Sequence, residues 1–209
     1  MKPPKIDWSE AIKPLLKKYK NTPHPLQSKN LYQQIAMVVL SAQTTDNIIN
    51  QIAPELFNAF PNMQALSEAT EDAVIPYITK VRNFRNKAKW LTGIAKQVKK
   101  DSNIPQTLDE LVKLPGIGRK SANVILRFAG AQPEGVIVDV HVLRVAPRLG
   151  IALGDDATKM EMQLMEKLPK KQWDAGMAMS HLGREICKPK PECERCLMNK
   201  VCAFYNKWN

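Results

Sequence analysis

Apolar residues recur at helical spacing along nearly the whole chain. Asp7-Trp8-Ser9-Glu10 has the form of a capping box, and Ile12, Leu15, Leu16 and Tyr19 continue one face behind it. This predicts a first helix, broken by the segment 21–28 with Pro23 and Pro25. Residues 31–42 are almost wholly apolar, with Ile35, Ala36, Val38 and Val39 at their centre, which predicts a helix buried on all sides. Ile48, Ile49, Ile52, Leu56 and Phe57 mark an amphipathic helix ended by Pro61. Val74, Ile75 and Ile78 mark a short one, and Ala88, Leu91, Ile94, Ala95 and Val98 mark the next. Further on, Val142, Val145 and Leu149 form a helix ended by Gly150, followed by Met160, Leu164, Met165 and Leu168, then by residues 173–186. The apolar run 136–138 is too short to argue for a sheet, and neither a repeat nor a low-complexity tract interrupts the pattern. The predicted fold class is all-α.

Residues 111–129 break the regularity in an informative way. Thr107-Leu108-Asp109-Glu110 has the capping-box form, so a helix starts there, and Pro115-Gly116 stops it. Gly118 follows, and helical spacing resumes through Ala122, Ile125, Leu126 and Ala129. Helix, tight Gly-x-Gly turn, helix is an arrangement suited to holding phosphate. The glycines permit positive φ and close backbone approach, and the N–H groups opening the second helix point at an anion. Many helical hairpins use such turns only structurally. Lys120 weighs against that, because a cation in the first turn opposes the helix dipole and gains no stability there. It suits a phosphate partner or an amine nucleophile. Asp139 follows an apolar run and precedes a new helical pattern. It is a good N-cap, or an active-site carboxylate.

At 209 residues and 44% hydrophobic composition, the chain can bury a core without disulfides. Its net charge of +11 and isoelectric point near 9.5 imply a polyanionic partner, most often nucleic acid. No apolar run is long enough to span a bilayer, and the first ten residues lack the apolar segment of a secretion signal. An intracellular, cytoplasmic protein is expected, nucleoid-associated in a bacterium. No cysteine occurs before Cys187; then Cys187, Cys193, Cys196 and Cys202 follow with the spacing C-x5-C-x2-C-x5-C. In a reducing compartment this is a metal site, for zinc or an iron–sulfur cluster.

LPGIGRKSANVIL followed by VDVHVLRV resembles the helix-hairpin-helix DNA glycosylases, most closely the endonuclease III family, and the resemblance extends over nearly the whole chain. It implies two lobes with a DNA groove between them. One is a six-helix barrel over residues 28–132 containing the hairpin at about 107–129; the other is a cluster lobe of residues 1–27 and 133–209 ending in the cysteine loop 187–202. It assigns catalysis to Lys120 and Asp139, which would meet across the groove. It favours a [4Fe–4S] cluster on Cys187, Cys193, Cys196 and Cys202 over zinc, in a structural role. DNA contacts are expected from Gln43, Leu114, Gly116, Gly118 and Arg119, with Lys188, Lys190 and Arg195 adding positive charge in the cysteine loop. Gln43, in Ser41-Ala42-Gln43-Thr44-Thr45-Asp46, resembles the glutamine that fills the gap left by an extruded nucleotide.

The activity implied is removal of damaged bases, oxidised pyrimidines above all, from duplex DNA by a monomeric enzyme. Lys120 attacks the sugar C1′, Asp139 assists proton transfer and stabilises developing positive charge, and the Schiff base permits β-elimination at the abasic site. Two rivals stand beside it: a monofunctional glycosylase for another lesion or mismatch, and a non-catalytic hairpin module. The adenine-removing branch is disfavoured, since no acidic residue lies between Leu31 and Thr45 and no room follows Cys202 for its further domain. The chain departs from the family at two places. Cys187 and Cys193 enclose five residues where six are usual, and residues 81–88 replace an IGLYxxKA-like segment near the lesion pocket, with Arg82 and Phe84 in place of its glycine and tyrosine.

Overall fold

The computed structural model describes residues 5–132 and 134–207. Among them the regular structure is helical, with no strand, and it divides into two compact units: residues 23–132, and residues 1–22 together with 133–209. The segment 136–138 is extended but unpaired in any sheet, as its length predicts.

The first predicted helix is two. α1 (Trp8–Ala11) is capped by Asp7, whose carboxylate accepts the Ser9 N–H at 3.0 Å, and α2 (Lys13–Tyr19) starts afresh after Ile12. Pro14 is the reason: it has no N–H to give the Glu10 carbonyl, and its ring crowds that oxygen. The apolar face nevertheless continues through both pieces.

In the unit of residues 23–132, α3 (Leu31–Ser41) runs through the middle, with Tyr32 and every residue from Gln34 to Leu40 buried. α4 (Asp46–Ala59) packs beside it. α5 (Met63–Glu68) is a helix that hydrophobic spacing alone misses, because only Met63 and Leu66 are buried. Its signal is the cap, Asn62, which accepts the Ala65 N–H at 2.8 Å. α6 (Glu71–Ile78) and α5 both rest on α7 (Phe84–Val98). α8 (Leu108–Leu111) is shorter than a capping box suggests. Thr107 and Glu110 bond to each other's side chains at 2.8 Å instead of capping reciprocally. α9 (Arg119–Phe128) packs its buried face, Ala122 to Leu126, against α3.

In the other unit, α10 (Val140–Leu149), α11 (Ala157–Lys167), α12 (Ala175–Glu185) and the short α13 (Ala203–Asn206) close around Val142, Val145, Leu149, Met160, Leu164 and Leu182. Trp8, Ile12, Leu15 and Tyr19 from α1 and α2 belong to the same core. α12 packs against α10 at very short range. A Cβ added at Gly183 would lie 2.8 Å from the His141 Cβ, so only glycine fits. Glu185 ties the N-terminal helices down: it accepts the Tyr19 hydroxyl at 2.6 Å and the Lys18 ammonium at 2.9 Å, and these bonds hold its carboxyl below the usual range.

Candidate active site

The hairpin between α8 and α9 is built on one glycine and opened by another. Gly116 has φ +73°, and a Cβ there would come within 2.6 Å of the Trp90 indole on α7. Both the backbone and the packing demand glycine. Gly118 is different. It is extended, with φ −92° and ψ 175°, so of the two hairpin glycines only Gly116 uses the positive φ that glycine permits. An added Cβ at Gly118 would meet nothing within 4 Å, which leaves open space at the entrance to α9. The main-chain N–H groups of residues 119–121 precede the first bond of that helix, from Ala122 to Gly118 at 2.9 Å. Arg119 and Lys120 are exposed there. Leu114, by contrast, is 6% exposed: its side chain belongs to the interior of the hairpin, and only main-chain atoms remain for a ligand.

The loop after α3 carries Gln43, exposed, with φ +58°. A non-glycine residue rarely adopts this conformation, and here the surroundings enforce it. The Thr44 hydroxyl accepts the Arg82 N–H at 3.2 Å, and Lys87 donates to the Leu40 carbonyl at 2.7 Å and the Ala42 carbonyl at 2.5 Å. Lys87 is 2% exposed, and burial pushes its ammonium down to about 8. Motif and spacing alone pass over this residue. A signal is nevertheless present, because Lys87, Leu91, Ile94 and Val98 share one buried helical face on which a lysine is out of place. Asn83, at the mouth of α7, also lies in the left-handed region, at φ +57°.

Asp139 caps α10, as its sequence position predicts. Its Oδ1 accepts the N–H groups of His141 and Val142, each at 2.9 Å. Its Oδ2 accepts the Ser180 hydroxyl at 2.6 Å and lies 3.8 Å from Arg184 Nη2. Ser180 is the second residue that sequence reasoning misses; it stands alone as a hydroxyl in the buried apolar run of α12.

The four cysteines line one cavity together with Arg148, Leu149 and Ile186. None of the four is in a disulfide, and burial favours the neutral form of Cys196 and Cys202. Among the described residues no three His, Cys, Asp or Glu side chains converge as the ligands of a single ion would. Arg148 crosses the loop, donating to the carbonyls of Lys188 at 2.6 Å and Pro189 at 3.1 Å, with Nη1 3.5 Å from Cys187 Sγ. Lys188, Lys190 and Arg195 are all exposed. Lys188 pairs with Glu192 at 3.3 Å, and Arg195 pairs with the same carboxylate. No helix among the described residues is long and apolar enough to cross a membrane.

Residues 36–170 match the HhH-GPD superfamily base excision DNA repair protein family. Endonuclease III of Synechocystis is 33% identical over 198 residues, covering 93% of this chain and 90% of that protein. Endonuclease III of Rickettsia felis is 36% identical over 195 residues, covering 90% and 91%. Among solved structures, an endonuclease III–DNA trapped covalent intermediate superposes with a TM-score of 0.84 at 31% identity, over 95% of each chain. A thermostable thymine-DNA glycosylase shares the fold, with a TM-score of 0.78 at 20% identity over 94% of this chain and 95% of that one.

Proposed function

The chain belongs to the HhH-GPD superfamily of base excision DNA repair proteins and to its endonuclease III family, and from that premise we propose how its own residues carry out the reaction. It is a DNA glycosylase and abasic-site lyase acting on damaged duplex DNA. Lys120, as the neutral amine, attacks the sugar C1′. The bond to the damaged base breaks, and the base leaves with the electron pair and takes up a proton. The nitrogen gives up one proton, the C1′–O4′ bond breaks with the ring oxygen taking up a proton, and a protonated imine is left at C1′. Loss of the C2′ proton then expels the 3′ phosphate by β-elimination. Asp139 offsets the positive charge that develops at the sugar as the base departs.

One observation carries this reading: a lysine stands exposed in the first turn of α9, beside a glycine with open space in front of it. Such a lysine does nothing for helix stability. A monofunctional glycosylase, working through water, would have no use for it. Gln43, held in its strained conformation, fills the gap in the base stack. The hairpin main chain at Gly116 and Gly118, with Arg119, takes phosphate. Residues 28–132 form the barrel lobe, and residues 1–27 with 133–209 the cluster lobe. The substrates are oxidised pyrimidines, and the enzyme works as a cytoplasmic monomer.

Cys187, Cys193, Cys196 and Cys202 hold a [4Fe–4S] cluster. The four share one cavity, and membership of the endonuclease III family favours the cluster over zinc. When bound, the cluster supplies folding energy and shape to the loop carrying Lys188, Lys190 and Arg195; the reaction at the sugar requires no redox step.

Borohydride trapping on duplex containing an oxidised pyrimidine tests the assignment. Wild-type protein should give a covalent product and Lys120→Gln none, with duplex binding retained. Wild-type trapping by Lys120→Gln would place the imine on another amine. Iron and sulfide analysis of anaerobically purified protein tests the cluster, and stoichiometric zinc without iron would reverse that assignment.

A further inference from the structure

The bonding of Asp139 specifies more than its identity as a carboxylate. Oδ1 takes two main-chain N–H groups at 2.9 Å, which occupy both lone-pair directions of that oxygen. Oδ2 is met by the Ser180 hydroxyl at 2.6 Å, the short distance of a hydroxyl donating to a charged acceptor. Ser180 is 1% exposed, and its neighbours on α12, Met177, Ala178, Met179 and Leu182, are apolar and buried. A hydroxyl in that setting costs stability unless it is paired.

Charged and titratable groups also surround the carboxylate. Arg184, from α12, faces Oδ2 as an ion pair at 3.8 Å. On α10, the His141 ring lies 3.2 Å from Arg144 Nη2, and Arg144 also donates to the carbonyls of Gly183 and Cys187, each at 3.0 Å. His181, next to Ser180, stacks on Tyr19 with ring centroids 5.6 Å apart. The segment 136–138 leading into Asp139 is apolar.

We propose that Ser180 is a positioning residue for the reaction: its buried hydroxyl fixes Oδ2 of Asp139 and holds the carboxylate ionised, so that Asp139 acts as a fixed negative charge and not as a base that accepts a proton. The His141 and Val142 N–H groups and the Ser180 hydroxyl all favour the charged form, and protonation of Oδ2 would sacrifice the Ser180 bond. The proposal rests on the reading of Asp139 as the carboxylate of the reaction.

The test uses holoenzyme labelled with ¹³C at the aspartate carboxyl, titrated by NMR, with the Asp139 signal identified by its loss in Asp139→Asn. Ser180→Ala should raise the Asp139 midpoint by about one pH unit, as expected for removing a hydrogen bond to the charged form of a carboxylate. It should also slow base removal about tenfold at neutral pH, the effect of losing one hydrogen bond to a charged group. In the Asp139→Asn background the same substitution should add almost nothing, because the two residues act as a unit. An unchanged midpoint overturns the proposal, and so does an equal cost of Ser180→Ala in both backgrounds, which would mark a purely structural hydroxyl. If Asp139→Asn removed bases at the wild-type rate, the reading of Asp139 itself would fail, and the proposal with it.

Discussion

Replacing Gly116 with alanine adds one methyl group at the point where the hairpin touches α7. Two costs follow from the geometry. The backbone sits at φ +73°, where a residue with a Cβ pays about 1–2 kcal/mol. The new Cβ would also lie 2.6, 2.7 and 3.1 Å from three atoms of the Trp90 indole, a ring that cannot swing aside as a flexible chain end would. Overpacking of this kind costs about 1–3 kcal/mol. Together the two give a loss of about 2–5 kcal/mol, or a fall in Tm of about 5–15 °C for a chain of this size. Calorimetry on Gly116→Ala measures the sum. The same substitution in a Trp90→Ala background separates the parts, since only the backbone cost should survive there. Binding to abasic duplex should weaken in the single variant, because relief of the clash displaces the turn that presents Gly118 and the start of α9. A fall of less than 2 °C, or the same fall in both backgrounds, would refute the view that Trp90 sets the position of the hairpin.

Gln43→Gly should leave Tm within about 2 °C, because relief of the strained φ offsets the added freedom of the unfolded chain, yet slow base removal more than tenfold. Unaltered base removal would deny Gln43 its place in the base stack. Lys87 titrates near 8 in the folded protein, well below its ordinary value, so between these limits the unfolded chain binds more protons. Stability in urea should therefore rise with pH above 8, by about 3 kcal/mol over the window, and Lys87→Met should flatten the rise. Glu192→Gln releases the carboxylate shared by Lys188 and Arg195, and the slope of log affinity for duplex against log salt should steepen by about 0.9 for each phosphate newly engaged. An unchanged slope would leave those side chains out of the interface.

The sequence by itself determined the helical fold, the places where most helices begin and end, and the chemistry available. Helical spacing is a local property of Ile35, Leu91 or Val145, and it survives whatever the tertiary arrangement. Caps are equally local, and so the place of Asp139 at the head of α10 follows from its neighbours in the chain. Family resemblance supplied roles for Lys120, Asp139 and the cysteines, because motif order and spacing are carried in the chain. Proline effects were legible too, although the break at Pro14 shows how a continuous apolar face conceals a split helix.

What the tertiary structure decided concerns residues whose partners lie far away in sequence. Leu114 turned inward because the hairpin closes over it, while Gly116 and Gly118 differ both in backbone conformation and in what stands opposite each of them. Lys87 finds its partners at positions 40 and 42, more than forty residues earlier, and Ser180 finds Asp139 forty-one residues back. Arg148 reaches the cysteine loop some forty residues further on. Hydrophobic periodicity says which face of a helix is buried but not which polar atom waits there. A buried lysine or serine is therefore an unexplained exception in the sequence, and becomes a positioning group only when the fold brings a carbonyl or a carboxylate within hydrogen-bond distance.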